Sequence, residues 1–188
     1  MRRLGLYLIV TADGMYADLD GGLNHYEPAE DEHRYANALV RDAGDLLYGR
    51  VMYEVMQYWD GLDLDDPAVT DVAREFTDAW RATPKLVVSR GDPPLGPNAT
   101  QLEGDVVEVI RRLKEGSGPD IGLGCGADLF ATLTRAGLVD DVRLLVIPVA
   151  LGSGKALFSA LDAPLSLRLT GTRTFSSGSV LLEYVTET

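Results

Sequence analysis

Three strand ends in this chain carry residues suited to holding negative charge. The apolar run Ile121-Gly122-Leu123 stops at Gly124-Cys125-Gly126, and a helix is predicted from there over 127–136, with Ala127, Phe130 and Leu133 on one face and Gly137 as its stop. A turn of small residues at a helix start lets backbone N–H groups converge where the helix dipole favours an anion, so phosphate is the expected guest. Taken alone the turn is weak evidence, because many strand-to-helix turns need glycine only for its backbone freedom. Gly49-Arg50 repeats the arrangement after Leu46-Leu47-Tyr48. An arginine at a helix start opposes the dipole unless an anion sits nearby, which favours a ligand role for Arg50 over a solvated charge. Ser89-Arg90 closes a third strand, from Lys85, with a polar pair.

Other chemistry is sparse. No nucleophile–base pair and no metal-ligand spacing stands out: His25 and His33 lack a helical ligand spacing, and Cys125 is the one cysteine. A helix start can depress the Cys125 pKa, although a small residue is all the turn requires. Two acids, an imidazole and a phenol gather instead at Asp31, Glu32, His33 and Tyr35, on a helix predicted over 28–43. The spacing does not say which of them points inward, and acids in a first turn also answer to the dipole. So few catalytic groups suit hydride transfer better than hydrolysis, since a cofactor then carries the chemistry and the protein holds two carbons close.

Charge narrows the partners. With 29 acidic against 17 basic residues the formal charge is −12, which argues against nucleic acid and against anionic membrane surfaces. An acidic chain that binds a phosphorylated cofactor must place its few cations locally. A single cysteine excludes an intrachain disulfide framework and suits a reducing cytoplasm, the expected location. The apolar run at 4–10 is too short to span a membrane and reads as a first strand. At 188 residues the chain has the length of one domain, 1–188.

The elements that must position these groups follow in order. A strand at 6–10 leads into the loop Thr11-Ala12-Asp13-Gly14, in which Asp13 and Gly14 are turn formers. The glycine-rich run 18–24 reads as a loop suited to act as a lid. Asp66-Pro67 is expected to cap a helix whose stripe Val69, Val72, Ala73, Phe76 and Trp80 belongs to the core or to a dimer contact. A short strand is expected at 100–102 and a second amphipathic helix over 105–115. Strands at 142–149, 165–175 and 179–186 follow, the last two joined by a hairpin at Ser176-Ser177-Gly178.

Gly137-Leu138-Val139-Asp140-Asp141, Pro148-Val149, Leu151-Gly152-Ser153-Gly154 and Leu157-Phe158 resemble the reductase domain of riboflavin biosynthesis and its relatives with the dihydrofolate reductase fold. Thr11-Ala12-Asp13-Gly14 and Gly49-Arg50-x-x-Tyr53-Glu54 extend the likeness over essentially the whole chain. Met52 departs from it, standing where the family usually has threonine. Met15 departs too, at the place where the riboflavin reductases usually carry a lysine for a phosphorylated substrate.

The resemblance implies an α/β, three-layer, dihydrofolate reductase-like fold: a mixed, mostly parallel sheet of about eight strands, helices on both faces, and a C-terminal antiparallel hairpin. It implies NADPH as cofactor, with Arg90 beside the adenosine 2′-phosphate, where a guanidinium pairs bidentately. Cofactor contacts are expected at Thr11, Ala12, Gly49, Arg50, Val51, Met52, Ser89, Arg90, Gly124, Cys125, Gly126, Ala127, Asp128 and Leu129. Asp31 and Tyr35 are the expected catalytic groups. Asp13, Tyr26, Tyr35, Tyr53 and Gly152 are expected to border the substrate, and no metal is expected. The implied activity is reduction of a small cyclic or heteroaromatic substrate, a pterin or riboflavin precursor. The alternative is a nucleotide- or small-ligand-binding protein on the same scaffold without turnover. Relatives pair, so a homodimer is expected, with Trp59 or Trp80 as candidate contacts.

Overall fold

A computed structural model describes residues 1–23 and 26–187. Its centre is an eight-stranded sheet built from β1 (Leu4–Thr11), β3 (Asp45–Gly49), β4 (Lys85–Val88), β5 (Ala99–Gln101), β6 (Ile121–Gly124), β7 (Asp141–Ile147), β9 (Leu167–Thr174) and β10 (Val180–Thr186). The order across the sheet is β5-β4-β3-β6-β1-β7-β10-β9. The six strands from β5 to β7 pair in parallel, and β10 runs antiparallel to both β7 and β9. The expected mixed sheet and closing hairpin are therefore present. Gly178, at φ 88, makes the hairpin turn. A second, two-stranded sheet pairs β2 (Met15–Ala17) with β8 (Lys155–Ala156).

Alternation along β1 shows how the layers form. Leu4, Leu6, Leu8 and Val10 are buried on one face, against Phe130 and Leu133 of α5 (Ala127–Arg135) and Ile110 of α4 (Val106–Glu115). Burying side chains of this size is favourable by about 1.5–3 kcal/mol each. Gly5, Tyr7 and Ile9 point the other way, towards α1 (Glu30–Asp42), and are only partly covered. On this second face α1 and α3 (Asp71–Ala82) pack together, with Val40, Phe76 and Trp80 over Leu46, Tyr48 and Val87. α2 (Arg50–Met56) follows β3 directly.

Two expectations need correction here. The helix anticipated at Asp66-Pro67 starts later: the Asp66 carboxylate folds its own turn by accepting from the Ala68 N–H (2.8 Å), and Thr70 takes over as cap, its hydroxyl accepting from the Ala73 N–H (3.3 Å). Val69 thus lies outside the helix. Trp80 is fully buried, with its indole N–H donating to Asp60 (2.9 Å), so it cannot serve as a contact between copies. No helix among the described residues is long and apolar enough to cross a membrane.

Candidate active site

Parallel strands end on one side of the sheet, and the turns leaving β3, β4 and β6 meet there in one cleft, which continues between α1 and the exposed face of β1. Most of the anticipated phosphate-binding groups line it: Gly49, Arg50, Val51, Met52, Ser89, Arg90, Gly124, Gly126, Ala127, Asp128 and Leu129. Tyr35 lines it from α1.

The glycines at the β6 turn are there for close approach. A Cβ on Gly124 would run into the Tyr48 ring, and one on Gly126 would lie 2.8 Å from the Tyr16 hydroxyl. Gly126 caps α5 without a side-chain hydrogen bond, and Gly126, Ala127, Asp128 and Leu129 at the start of α5 line the cleft beside the Tyr16 hydroxyl, where an anion seat is expected. Arg90 is exposed and has no hydrogen-bond or ion-pair partner among the described residues. Arg50 differs: it pairs with Glu54 one turn on, at 2.7 Å. The anion that offsets the helix dipole at Arg50 is therefore supplied by its own helix.

Several expected site residues are held elsewhere. Cys125 is fully buried, does not line the cleft, and burial pushes its thiol up to about 12, opposite to the depression a helix start can give. Thr11 is buried too. Its hydroxyl donates to Asp13 (2.5 Å) and accepts from the Met15 N–H (3.0 Å), while Ala12 faces solvent. The Asp13 carboxylate accepts from the Leu151 and Gly152 N–H groups (3.1 and 2.6 Å), so Asp13 and Gly152 pin one loop to another instead of bordering a substrate. The Thr11 hydroxyl, then the Gly152 N–H, hold the Asp13 carboxyl below its ordinary value. Tyr53 is fully buried against Trp80, its hydroxyl accepting from the Gly96 N–H (2.7 Å). It lies in the core because the fourth residue of α2 points back at the sheet.

The helix acids separate clearly. Asp31 does not line the cleft; it accepts from the Ser176 N–H and hydroxyl, both at 2.9 Å, and so ties α1 to the hairpin. Glu32, left open by the spacing, turns inward and is 1% exposed. Its carboxylate accepts from the Tyr26 hydroxyl, the Ala29 N–H (2.7 Å) and the Ser177 hydroxyl (2.6 Å). Burial works to raise this carboxyl, but the Ser177, Tyr26 and Ala29 donors outweigh it and leave it below its ordinary value. Tyr26 stands behind the wall, off the cleft lining, with its phenol pushed up to about 12 by burial and by Glu32. Tyr35 also rises to about 12, from burial first and then from Glu183, to which its hydroxyl donates (3.1 Å).

The spacing missed Tyr7, Ile9, Tyr16, Val55, Met56 and Trp59, all of which line the cleft. The signal for the first two was available, since Gly5, Tyr7 and Ile9 interrupt the leucines of β1 at every second position. No group of three metal-ligating side chains exists among the described residues, and His25 lies outside them.

A model of the RibD C-terminal domain matches residues 3–181. The chain belongs to the RibD C-terminal domain family. The uncharacterized protein YyaP of Bacillus subtilis (strain 168) is 32% identical over 183 residues, 97% of this chain and 94% of that one. Among solved structures, a putative riboflavin biosynthesis protein from Shewanella sp. PV-4 superposes over all of both chains with a TM-score of 0.75 at 18% identity. A dihydrofolate reductase from Enterococcus faecalis, complexed with NADP(H), covers 99% of this chain and 97% of its own with a TM-score of 0.63 at 13% identity. The family and the fold are thus those that the Gly137–Asp141, Leu151–Gly154 and Gly49–Glu54 segments resemble.

Proposed function

We propose that this chain is an NADPH-dependent reductase of a small cyclic or heteroaromatic substrate of the pyrimidine or pterin type. The observation that carries the reading is the meeting of three glycine- or arginine-bearing turns in one cleft, with Arg90 unpaired at one end and the start of α5 in the middle. These residues fit a dinucleotide. Ser89 and Arg90 would hold the ribose and its 2′-phosphate, and the turns at Gly49 and at Gly124–Leu129 would hold the pyrophosphate. The bound cofactor supplies a hydride. The chain's own part is to place the acceptor beside it and to keep water out, for which the apolar wall of Ile9, Val55, Met56 and Trp59 is suited. Membership of the RibD C-terminal domain family and the NADP(H) complex of the Enterococcus relative support the reading.

A second reading, a ligand-binding protein without turnover, is favoured by one observation. The inward acid, Glu32, has both oxygens taken by its own chain. The two separate by experiment. NADPH is titrated against the fluorescence of Trp59, which lines the cleft, and NADPH oxidation is then followed with pterins, flavin precursors and quinones. Saturable binding with steady oxidation supports the reductase, and binding alone supports the second reading. No binding up to millimolar NADPH removes the first. We place the working protein in the cytoplasm as a homodimer, which sedimentation would check.

A further inference from the structure

The cleft continues past the dinucleotide turns into the space between α1 and β1, and many of its polar groups there are committed. Glu32 already accepts from Tyr26, Ala29 and Ser177. The Tyr35 hydroxyl is held by Glu183, and the Arg143 guanidinium by the same carboxylate at 3.4 Å. Arg50 is held by Glu54. The hydroxyl of Tyr7, whose ring packs 5.9 Å from that of Tyr35, is among the polar atoms of this wall without a partner among the described residues, with the Tyr48 hydroxyl and His33 Nε2 further along the cleft. Burial, and then Tyr35, Tyr26 and Glu32, push its pKa upward, so the phenol stays neutral throughout the working range. Ile9, Tyr26 and Tyr35 share its cluster, and the same cleft is lined further along by Val55, Met56 and Trp59. The carboxylates of Glu32, on the cleft lining, and Glu183, behind it, disfavour a phosphate; of the two guanidinium groups nearby, Arg143 is paired with Glu183 and Arg173 stacks on the Tyr35 and Phe175 rings. Lys155, exposed on β8 at the rim, is the one cation along this part of the cleft without a carboxylate partner among the described residues.

We infer that this half of the cleft takes a flat, uncharged heterocycle without a phosphate, oriented by a hydrogen bond to the Tyr7 hydroxyl. The inference rests on the reductase reading for its setting, but Tyr7 belongs to the ring site and not to the dinucleotide turns. It departs from the phosphorylated substrate expected of a riboflavin-pathway reductase. It also departs from a helix acid as the polar anchor, because both oxygens of the acid that faces inward already accept from its own chain.

The test uses riboflavin and FMN, which share one ring system and differ by a phosphate, titrated into the NADP⁺-saturated chain and into the cofactor-free chain. Riboflavin should bind saturably and FMN no tighter. Tyr7→Phe should weaken riboflavin roughly five- to tenfold, the loss of one hydrogen bond, with an unchanged melting temperature because no protein partner is orphaned. Lys155→Ala should leave riboflavin unaffected. FMN binding more tightly than riboflavin, with that advantage lost in Lys155→Ala, overturns the phosphate-free substrate. Unchanged affinity in Tyr7→Phe overturns the handle. No saturable binding of riboflavin or of 6-methylpterin overturns the heterocycle. If NADP⁺ itself fails to bind while riboflavin binds and loses affinity in Tyr7→Phe, the reductase reading falls and this one stands.

Discussion

Asp31 and Glu32 are neighbours on α1, yet one carboxylate reaches out to the Ser176 backbone while the other is buried under Tyr26. A helix turns about 100° per residue, so adjacent acids cannot share a face. The outer one braces the hairpin and the inner one closes a hydrogen-bond network at the edge of the cleft. Which is which follows from where α1 begins, and that is set by tertiary packing.

Removing the two acids should therefore have unequal effects. Glu32→Ala leaves the Ala29 N–H and the Tyr26 and Ser177 hydroxyls without their acceptor, and should cost about 2 kcal/mol or more. Asp31→Ala exposes its donors to water and should move the urea midpoint far less. Urea unfolding of both variants against the parent checks the order; an equal or larger loss in Asp31→Ala would contradict the network described for Glu32.

The same carboxylate predicts a dependence on pH. Its folded pKa lies below the ordinary 4.5, so the folded state favours the ionised form. The stability it contributes is fully present above the unfolded value and is lost as pH falls through the folded one. Between pH 7 and the region below 4.5 the parent should lose more stability than Glu32→Gln. Parallel unfolding curves over that range would sink the assignment.

Arg90 should discriminate between cofactors. It is exposed and unpaired among the described residues, so a 2′-phosphate would be its partner and its loss should leave the fold untouched. A charge-assisted hydrogen bond contributes about 1.5–3 kcal/mol. Arg90→Ala should therefore weaken NADPH roughly ten- to a hundredfold while leaving NADH within about twofold. Equal losses for both nucleotides would place Arg90 away from the 2′ position.

The part of the cleft made by the turns leaving β3, β4 and β6 is largely legible in the sequence, because glycines and arginines stand out at the ends of apolar strands. The part between α1 and β1 is less so. Tyr53 looks like a pocket residue beside Arg50, but α2 turns it into the core, where Trp80 and Gly96 hold it. Asp13 looks like a ligand contact in a glycine loop, and instead bridges to Leu151 and Gly152, far along the chain. Tyr7 was overlooked for the opposite reason. A parallel central strand is expected to be buried on both faces, and β1 is not, since α1 leaves its second face partly open.

The glycines flanking Cys125 should respond differently to the same substitution. A Cβ at Gly124 meets the buried Tyr48 ring, which packs against Trp80. Gly124→Ala should cost about 1–3 kcal/mol by overpacking. At Gly126 the obstacle is the Tyr16 hydroxyl, the far end of a side chain at the cleft. Gly126→Ala should keep its stability to within about 1 kcal/mol and lose NADPH affinity instead. Thermal unfolding and cofactor titration of the pair separate a core defect from a site defect; the reverse pattern would mean that the turn serves packing alone.

Cys125 sits between those glycines, and its position invites the expectation of a reactive thiolate. The backbone of the turn faces the cleft, but the side chain goes the other way, into the cluster of Leu123, Phe130 and Leu133. The side chain is fully buried there and burial raises the pKa to about 12, so the helix dipole is outweighed by desolvation. At pH 8 the native protein should resist a water-soluble disulfide reagent for hours, and the same thiol should react within minutes once unfolded in guanidinium. Cys125→Ser should then destabilise the fold, by placing a hydroxyl in an apolar site, without changing NADPH affinity. Rapid labelling of the native chain, slowed by NADPH, would instead put the thiol in the cleft and reverse the direction assigned to this side chain.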